Sequence, residues 1–233
     1  KAIICVHTYG HPCNMTKILS LIRGKKIYLI EDCAEAIGTK FKNKNIGTFG
    51  DFSVFSFYGN KTITTGEGGM ILFKKEKDFQ KCKILRNHGM SIKKRYWHDY
   101  VGFNFRMTNL QAAVGVAQFE KIKIFIKNKI EIAKEYHRNL KNFNKIELPF
   151  QEKWATHSYW LYNILIKNIK KNKRDIIIER LNDLGIEARP SFYPASDMKI
   201  YKKYSNNNQN YSKISYSGIS LPSFMGLKSF QIK

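Results

Sequence analysis

Lys61 lies in the run Ser53-Val54-Phe55-Ser56-Phe57-Tyr58-Gly59-Asn60-Lys61-Thr62-Ile63-Thr64-Thr65-Gly66-Glu67-Gly68-Gly69-Met70. The apolar stretch from Phe52 to Phe57 reads as a buried strand, and a second apolar run follows from Gly69 to Phe73. Between them a single lysine sits among Gly, Asn and Thr, in a chain that otherwise scatters its lysines widely. A lysine held between two core strands can shed water, lower its pKa and offer a free amine for a Schiff base. A solvated hairpin lysine fits this stretch equally well.

A second stretch separates the two readings. Lys26 to Ile30 has the pattern of a buried strand and ends in Glu31-Asp32-Cys33-Ala34-Glu35-Ala36. Open α/β sheets place ligand-binding groups just past the carboxyl ends of their strands. An Asp that can pair with a pyridinium nitrogen and a Schiff-base Lys together form the protein's half of pyridoxal phosphate chemistry.

Three motifs carry a family resemblance. They are Asp32 to Ala36, Ser56 to Gly69, and Gly102-Phe103-Asn104-Phe105-Arg106-Met107-Thr108-Asn109-Leu110-Gln111-Ala112-Ala113. In this order they resemble the DegT/DnrJ/EryC1/StrS sugar aminotransferases, and the Gly-Asn-Lys-Thr-Ile-Thr-Thr form resembles the perosamine-forming branch. The resemblance runs from Val6 to about Pro222. It implies an α/β, fold-type-I pyridoxal phosphate (PLP) transferase with a mixed central sheet and a small C-terminal α/β domain. It further implies transamination of a nucleotide-linked keto sugar, of the GDP-4-keto-6-deoxymannose kind, with glutamate as amino donor, in surface-polysaccharide or amino-sugar biosynthesis. A 3-keto-sugar aminotransferase, or an inactive fragment of such an enzyme, remains open at this point.

The same resemblance assigns roles. Lys61 would hold the cofactor and then move a proton between carbon atoms, since a released amine stays within reach of the substrate. Asp32 would keep the ring nitrogen protonated, and Ser56 would bind the phosphate. Ala34 would pack on the ring face, and Glu35, where many relatives carry Gln, would bond the cofactor hydroxyl or shape the sugar site. Asn104 would reach the phosphate of a neighbouring subunit's cofactor, which implies a homodimer with shared active sites. His88 and Tyr193 are candidates for touching the sugar, although structural packing is the plainer role for both. Lys61 argues against the dehydratases of the family, which carry His there. The family's Gly-Thr phosphate turn and ring-stacking aromatic lie upstream of residue 1, so Lys1 reads as the edge of a fragment.

Composition narrows the class. The chain has 233 residues and a formal net charge of +23. Its lysines are spread throughout, together with many Asn and Ile, and no helix-turn-helix, RNP or zinc pattern accompanies them. Nucleic-acid binding is therefore not expected, whereas steering of an anionic sugar nucleotide is. Cys5, Cys13, Cys33 and Cys82 lack metal-ligand spacing, so no metal is expected and the thiols read as reduced. No apolar run reaches membrane-spanning length, and a cytoplasmic enzyme without membrane contact is expected.

The elements that must position the motifs follow in order. Ala2 to Val6 reads as a core strand. Asn14 caps a helix from Met15 to about Arg23, closed by Gly24, and the strand at Lys26 completes a βαβ unit. A helix is expected over 76–86, and a basic, aromatic segment over 91–102 reads as an intersubunit arm or a lid. Thr108 caps a long helix whose small residues imply close packing against another helix, and helical pattern resumes over 130–140. Residues 1–125 are expected to form the large domain and 126–233, with the linking helix, the small one. Within the latter a strand over 159–166, a helix over 174–184 with Gly185 at its end, a strand from Ile186 and a polar loop over 205–210 are expected.

Overall fold

The computed structural model describes residues 1–169, 171–204 and 214–233, so the polar loop expected over 205–210 lies outside the described residues. In chain order the strands are β1 (Ala2–Val6), β2 (Tyr28–Asp32), β3 (Lys40–Phe41), β4 (Lys44–Asn45), β5 (Phe52–Ser56), β6 (Gly69–Phe73), β7 (Ile146–Glu147), β8 (Ala155–Thr156), β9 (Tyr162–Ile166), β10 (Arg189–Pro190) and β11 (Gly218–Leu221). The helices are α1 (Met15–Ile22), α2 (Glu76–Leu85), α3 (Asn109–Phe119), α4 (Ile122–Leu140), α5 (Lys171–Asp183) and α6 (Ser229–Ile232). None of the described helices is long and apolar enough to cross a membrane.

The chain divides into two compact units, Lys1–Ile126 with Glu152–Ser158, and Lys127–Gln151 with Tyr159–Lys233. Residues 152–158, which the sequence division assigns to the small domain, belong to the first unit because β8 pairs with β3.

In the first unit a mixed sheet runs in the order β1-β2-β5-β6. The first three strands are parallel and β6 returns antiparallel to β5. The register aligns Val6, Asp32 and Val54, so the loops after β1, β2 and β5 leave from one edge of the sheet. α1 forms as its sequence dictates: Asn14 Oδ1 accepts the Lys17 amide at 3.1 Å, and Gly24 (φ +71°) ends it in the left-handed region. Its apolar side covers a core of Cys5, Met15, Leu29, Cys33, Ala36, Phe41 and Ile46. The opposite sheet face leaves Ile4, Val6 and Tyr28 exposed.

α3 starts on a capping box, with Thr108 Oγ1 accepting the Gln111 amide at 3.2 Å and Gln111 Oε1 accepting the Thr108 amide at 2.9 Å. The close helix–helix packing expected of it is not found among the described residues. No residue of α3 is buried, and Leu110 and Phe119 are 83% and 63% exposed. Its glycine approaches a loop: a Cβ at Gly115 would lie 2.9 Å from Thr65 Cγ2.

The second unit holds an antiparallel sheet in the order β10-β11-β9-β7. Ile132, Ala133, Tyr136, Tyr162, Ile164, Ile178 and Ile219 form its core, with Tyr136 stacked on Tyr162 at 4.7 Å. α5 starts three residues earlier than its pattern suggested, and the strand after Gly185 begins at Arg189 rather than Ile186. The delay has a local cause: Asn182 Oδ1 accepts the Ala188 amide at 2.9 Å, which folds 184–188 back on the helix end.

Candidate active site

Asp32 is the last residue of β2, and its Oδ1 accepts the Ala34 amide at 3.0 Å, turning the chain sharply off the sheet. The turn brings Ala34 and Glu35 out half-buried. Glu35 Oε2 accepts the backbone N–H of Tyr9, in the loop after β1, at 2.7 Å. Tyr9 holds φ +55°, a conformation that costs a non-glycine residue about 1 kcal/mol or more. The loop is pinned around it, since Gly10 O accepts both Thr39 Oγ1 at 2.6 Å and the Ser158 amide at 3.1 Å. Nothing in the sequence analysis singled out Tyr9; a tyrosine followed by glycine in a strand-end loop was the available signal.

Lys61 stands in the loop that joins β5 to β6. Phe57 and Gly68 close the loop through an N–H to O bond of 2.9 Å, and the Lys61 amide donates to Tyr58 O at 2.9 Å. The residues after the lysine are anchored rather than solvated: Thr62, Ile63 and Thr65 are buried, and the Thr64 amide donates to Gln118 Oε1 of α3 at 2.9 Å. Lys61 is itself half-buried, and burial lowers its pKa, while the Glu35 and Asp32 carboxylates push it back upward. Burial in turn raises the Glu35 carboxyl, opposed by the Tyr9 amide and Lys61 and reinforced by Asp32. An amine and two carboxylates therefore share one electrostatic neighbourhood at the carboxyl edge of the parallel strands. Ser56, the last residue of β5, lies two residues beyond the register partner of Asp32, and its Oγ accepts the Tyr58 amide at 3.3 Å.

The third acid of this stretch does something else. Strand alternation turns Glu31 into the core beside Leu29, where it is fully buried. Its carboxylate accepts the amides of Gly47 (2.8 Å), Phe49 (2.7 Å) and Gly50 (2.6 Å). His7 Nε2 lies 3.2 Å from Oε2. His7 Nδ1 accepts the Cys13 amide at 3.0 Å, so Nε2 carries the hydrogen and donates to Glu31. These donors outweigh burial and lower the Glu31 pKa. Ligand atoms of His7, Glu31 and Cys33 lie within 4.8 Å of one another, in the manner of a metal triad. With the His7 nitrogens and both Glu31 oxygens already engaged, the cluster works as a hydrogen-bond hub that fixes the turn at 47–50.

The remaining candidates have partners of their own. Asn104 is exposed, accepts the Arg106 amide at 3.4 Å and bridges to Asn87 through the backbone. His88 is exposed at φ +59°, and its carbonyl lies 2.9 Å from His98 Nδ1. The basic segment between them is tied at its base, where a Cβ on Gly89 would meet Tyr100 O at 1.9 Å, and it presents exposed Tyr96 and Trp97. Tyr193 belongs to the second unit, where its hydroxyl accepts Arg174 Nη2 at 3.0 Å.

The donor set fits pyridoxal phosphate: an amine whose proton affinity is reduced by burial, a strand-end carboxylate for a ring nitrogen, a hydroxyl at the end of the neighbouring strand and a small side chain in the turn after the carboxylate.

The chain matches the DegT/DnrJ/EryC1/StrS aminotransferase family over residues 1–233. It is 42% identical over 232 residues to the GDP-perosamine synthase of Escherichia coli O157:H7, covering 100% of this chain and 63% of that protein. It is 44% identical over 235 residues to the GDP-perosamine synthase of Vibrio cholerae, covering 100% and 64%. The chain thus spans somewhat less than two thirds of the length of these curated relatives. Helicobacter pylori PseC, an aminotransferase involved in the biosynthesis of pseudoaminic acid, superposes with a TM-score of 0.93 at 27% identity, over 100% of this chain and 64% of that one. The fold is accordingly that of the PLP-dependent sugar aminotransferases, as the motifs implied. On this evidence the chain belongs to the DegT/DnrJ/EryC1/StrS aminotransferase family.

Proposed function

We propose that this chain carries the lysine-bearing part of a PLP-dependent active site, and that the whole protein transfers an amino group from glutamate to a nucleotide-linked keto sugar. The observation that carries the reading is the anchored, half-buried Lys61 in the loop after β5, within electrostatic influence of Asp32 and Glu35 at the carboxyl edge of the parallel strands. When bound, pyridoxal phosphate supplies the electron sink through which an amino group is exchanged with a carbonyl. Lys61 holds the cofactor and moves a proton at the substrate carbon. Asp32, with Oδ1 already fixed by Ala34, keeps a positive charge on the ring nitrogen. Ser56 contributes a hydroxyl to the phosphate, and Ala34 leaves room for a flat ring.

The relatives named GDP-perosamine synthase support a GDP-linked sugar as substrate; in this reading it is a 4-keto-6-deoxy sugar, used for surface polysaccharide in the cytoplasm. Exposed Asn104, with exposed Phe103, Phe105, Leu110 and Phe119, supports a homodimer in which Asn104 reaches the partner's site. The test is spectroscopic. Adding pyridoxal phosphate to the whole protein should produce a visible band that glutamate discharges, followed by amination of GDP-4-keto-6-deoxymannose seen by mass. A band that glutamate leaves untouched would refute the reading.

A further inference from the structure

We propose that Gln118 is a positioning residue for Lys61: from α3, its side-chain carbonyl fixes the Thr64 amide and thereby the loop that carries the lysine. The inference rests on the reading of Lys61 as the cofactor lysine and adds to it a helix face that presets that residue.

α3 leaves most of its surface to solvent. Within residues 109–119 only Gln111, Gly115 and Gln118 are half-buried, and their spacing of four and then three residues sets them in one row along the helix. Gln111 is spent on the capping box with Thr108, so Gly115 and Gln118 are what the row offers to a neighbour. That neighbour is the β5–β6 loop. Gln118 Oε1 accepts the Thr64 amide at 2.9 Å, and a Cβ on Gly115 would lie 2.9 Å from Thr65 Cγ2. Glycine weakens a helix interior relative to alanine, and here it lets the helix come up against the Thr65 methyl.

The loop is pinned on both sides of the lysine. The Lys61 amide itself donates to Tyr58 O at 2.9 Å. Beyond it Thr64 is held twice, its amide by Gln118 and its hydroxyl by Phe57 O at 3.0 Å. Thr65 follows, its amide donating to Phe57 O at 2.9 Å and its hydroxyl to Glu67 O at 2.7 Å. Phe57 directly follows β5, so these bonds fold the loop back on its own strand and fix its shape. The Gln118 bond ties that shape to a helix outside it. Thr64 follows Lys61 by only three residues, so a shift at Thr64 is passed back to the lysine. Moving a reacting group by about 1 Å can cost roughly a hundredfold in rate, and proton transfer at one carbon needs the amine in one place.

Two readouts on the whole protein test this, one of them without cofactor. Hydrogen exchange of the 57–68 peptide, followed by mass spectrometry on cofactor-free protein, should be faster in Gln118→Met, which keeps the length of the side chain and loses the acceptor oxygen. Gln118→Glu, which keeps an acceptor oxygen, should stay near the parent. Unchanged exchange in Gln118→Met overturns the proposal, and so does an acceleration that extends equally to β2, because that is a general loss of stability. The second readout is the rate at which glutamate discharges the visible band of the protein loaded with pyridoxal phosphate. Gly115→Ala should favour the helix yet press on the Thr65 methyl, slowing discharge by about tenfold while the melting temperature does not fall. Adding Thr65→Ser removes that methyl and should restore the rate. A Gly115→Ala protein as fast as the parent, or one that Thr65→Ser leaves slow, overturns the proposal. A parent whose band glutamate leaves untouched refutes the reading of Lys61 instead, and the exchange result still decides whether Gln118 holds the loop.

Discussion

Among the described residues two lysines are drawn out of water, one in each unit, and they are built differently. Lys61 is half-buried in a loop, within electrostatic influence of the carboxylates of Glu35 and Asp32. Lys129 is 8% exposed in the middle of α4, and its Nζ donates to Trp160 O at 3.0 Å and to the carbonyl and hydroxyl of Ser223. Burial pushes its pKa down to about 8. Carbonyl and hydroxyl oxygens use up the three hydrogens of an ammonium group and lock it into the fold. Carboxylates at a strand edge instead tune an amine at a place where ligands bind. Withdrawal from water alone does not mark a reactive lysine; the groups that surround it do.

The contrast is broken most severely at the carboxylate side. Asp32→Asn keeps the size of the side chain but removes the charge proposed to hold a ring proton. Turnover should fall by roughly a thousandfold, about 4 kcal/mol on the barrier, while pyridoxal phosphate is at least partly retained. Steady-state kinetics giving near-normal turnover would separate Asp32 from the site.

Its neighbour Glu31 should show the reverse behaviour. Glu31→Ala strips the acceptor from three buried amides and His7, and should cost about 3 kcal/mol or more of stability. Urea denaturation checks this, with Asp32→Asn expected to stay near the parent. Because the folded Glu31 pKa is lowered from 4.5, its stabilisation is complete above that value and is lost as pH falls through the folded pKa. An acid limb below pH about 4.5 in the parent should be missing in Glu31→Ala.

Lys129 predicts a smaller, alkaline effect. Its folded pKa of about 8 lies below the ordinary 10.5, so folding carries the full cost of a buried charge below pH 8. As pH rises from 8 toward 10.5 the folded amine loses its proton first, and stability should increase by at most about 3 kcal/mol. Thermal melting across this window should show the rise in the parent and a flatter profile in Lys129→Met. The smallest effect belongs to Lys61→Ala, which should change stability by less than about 1 kcal/mol, since a half-exposed loop lysine adds little to the core.

The sheet edge that bears the site was legible because β2 and β5 are apolar runs that end in chemistry-bearing residues, and period-2 reading needs only local sequence. Asp32 and Lys61 stood out for that reason. The split between Glu31 and Asp32 was also latent in the alternation of β2, since Glu31 shares a face with Leu29. Tyr9 was hidden because its part is played by a backbone amide, which any residue type supplies. Lys129 was masked by its surroundings, one lysine among many on α4, although it falls on the helix face that buries Ile132, Ala133 and Tyr136. Strand ends such as Arg189 depended on a single bond from Asn182, which no periodicity reveals. The exposed face of α3 reads as core by pattern alone, because composition says a face is to be covered and not by what.

The central claim is that Lys61, and not the more deeply buried Lys129, is the amine that takes up the cofactor. Adding pyridoxal phosphate, reducing with borohydride and mapping the modified peptide by mass spectrometry tests it directly. The account predicts a single pyridoxyl label on the peptide containing Lys61, absent in Lys61→Ala. A label on Lys129, or one spread over surface lysines and undiminished in Lys61→Ala, would contradict it.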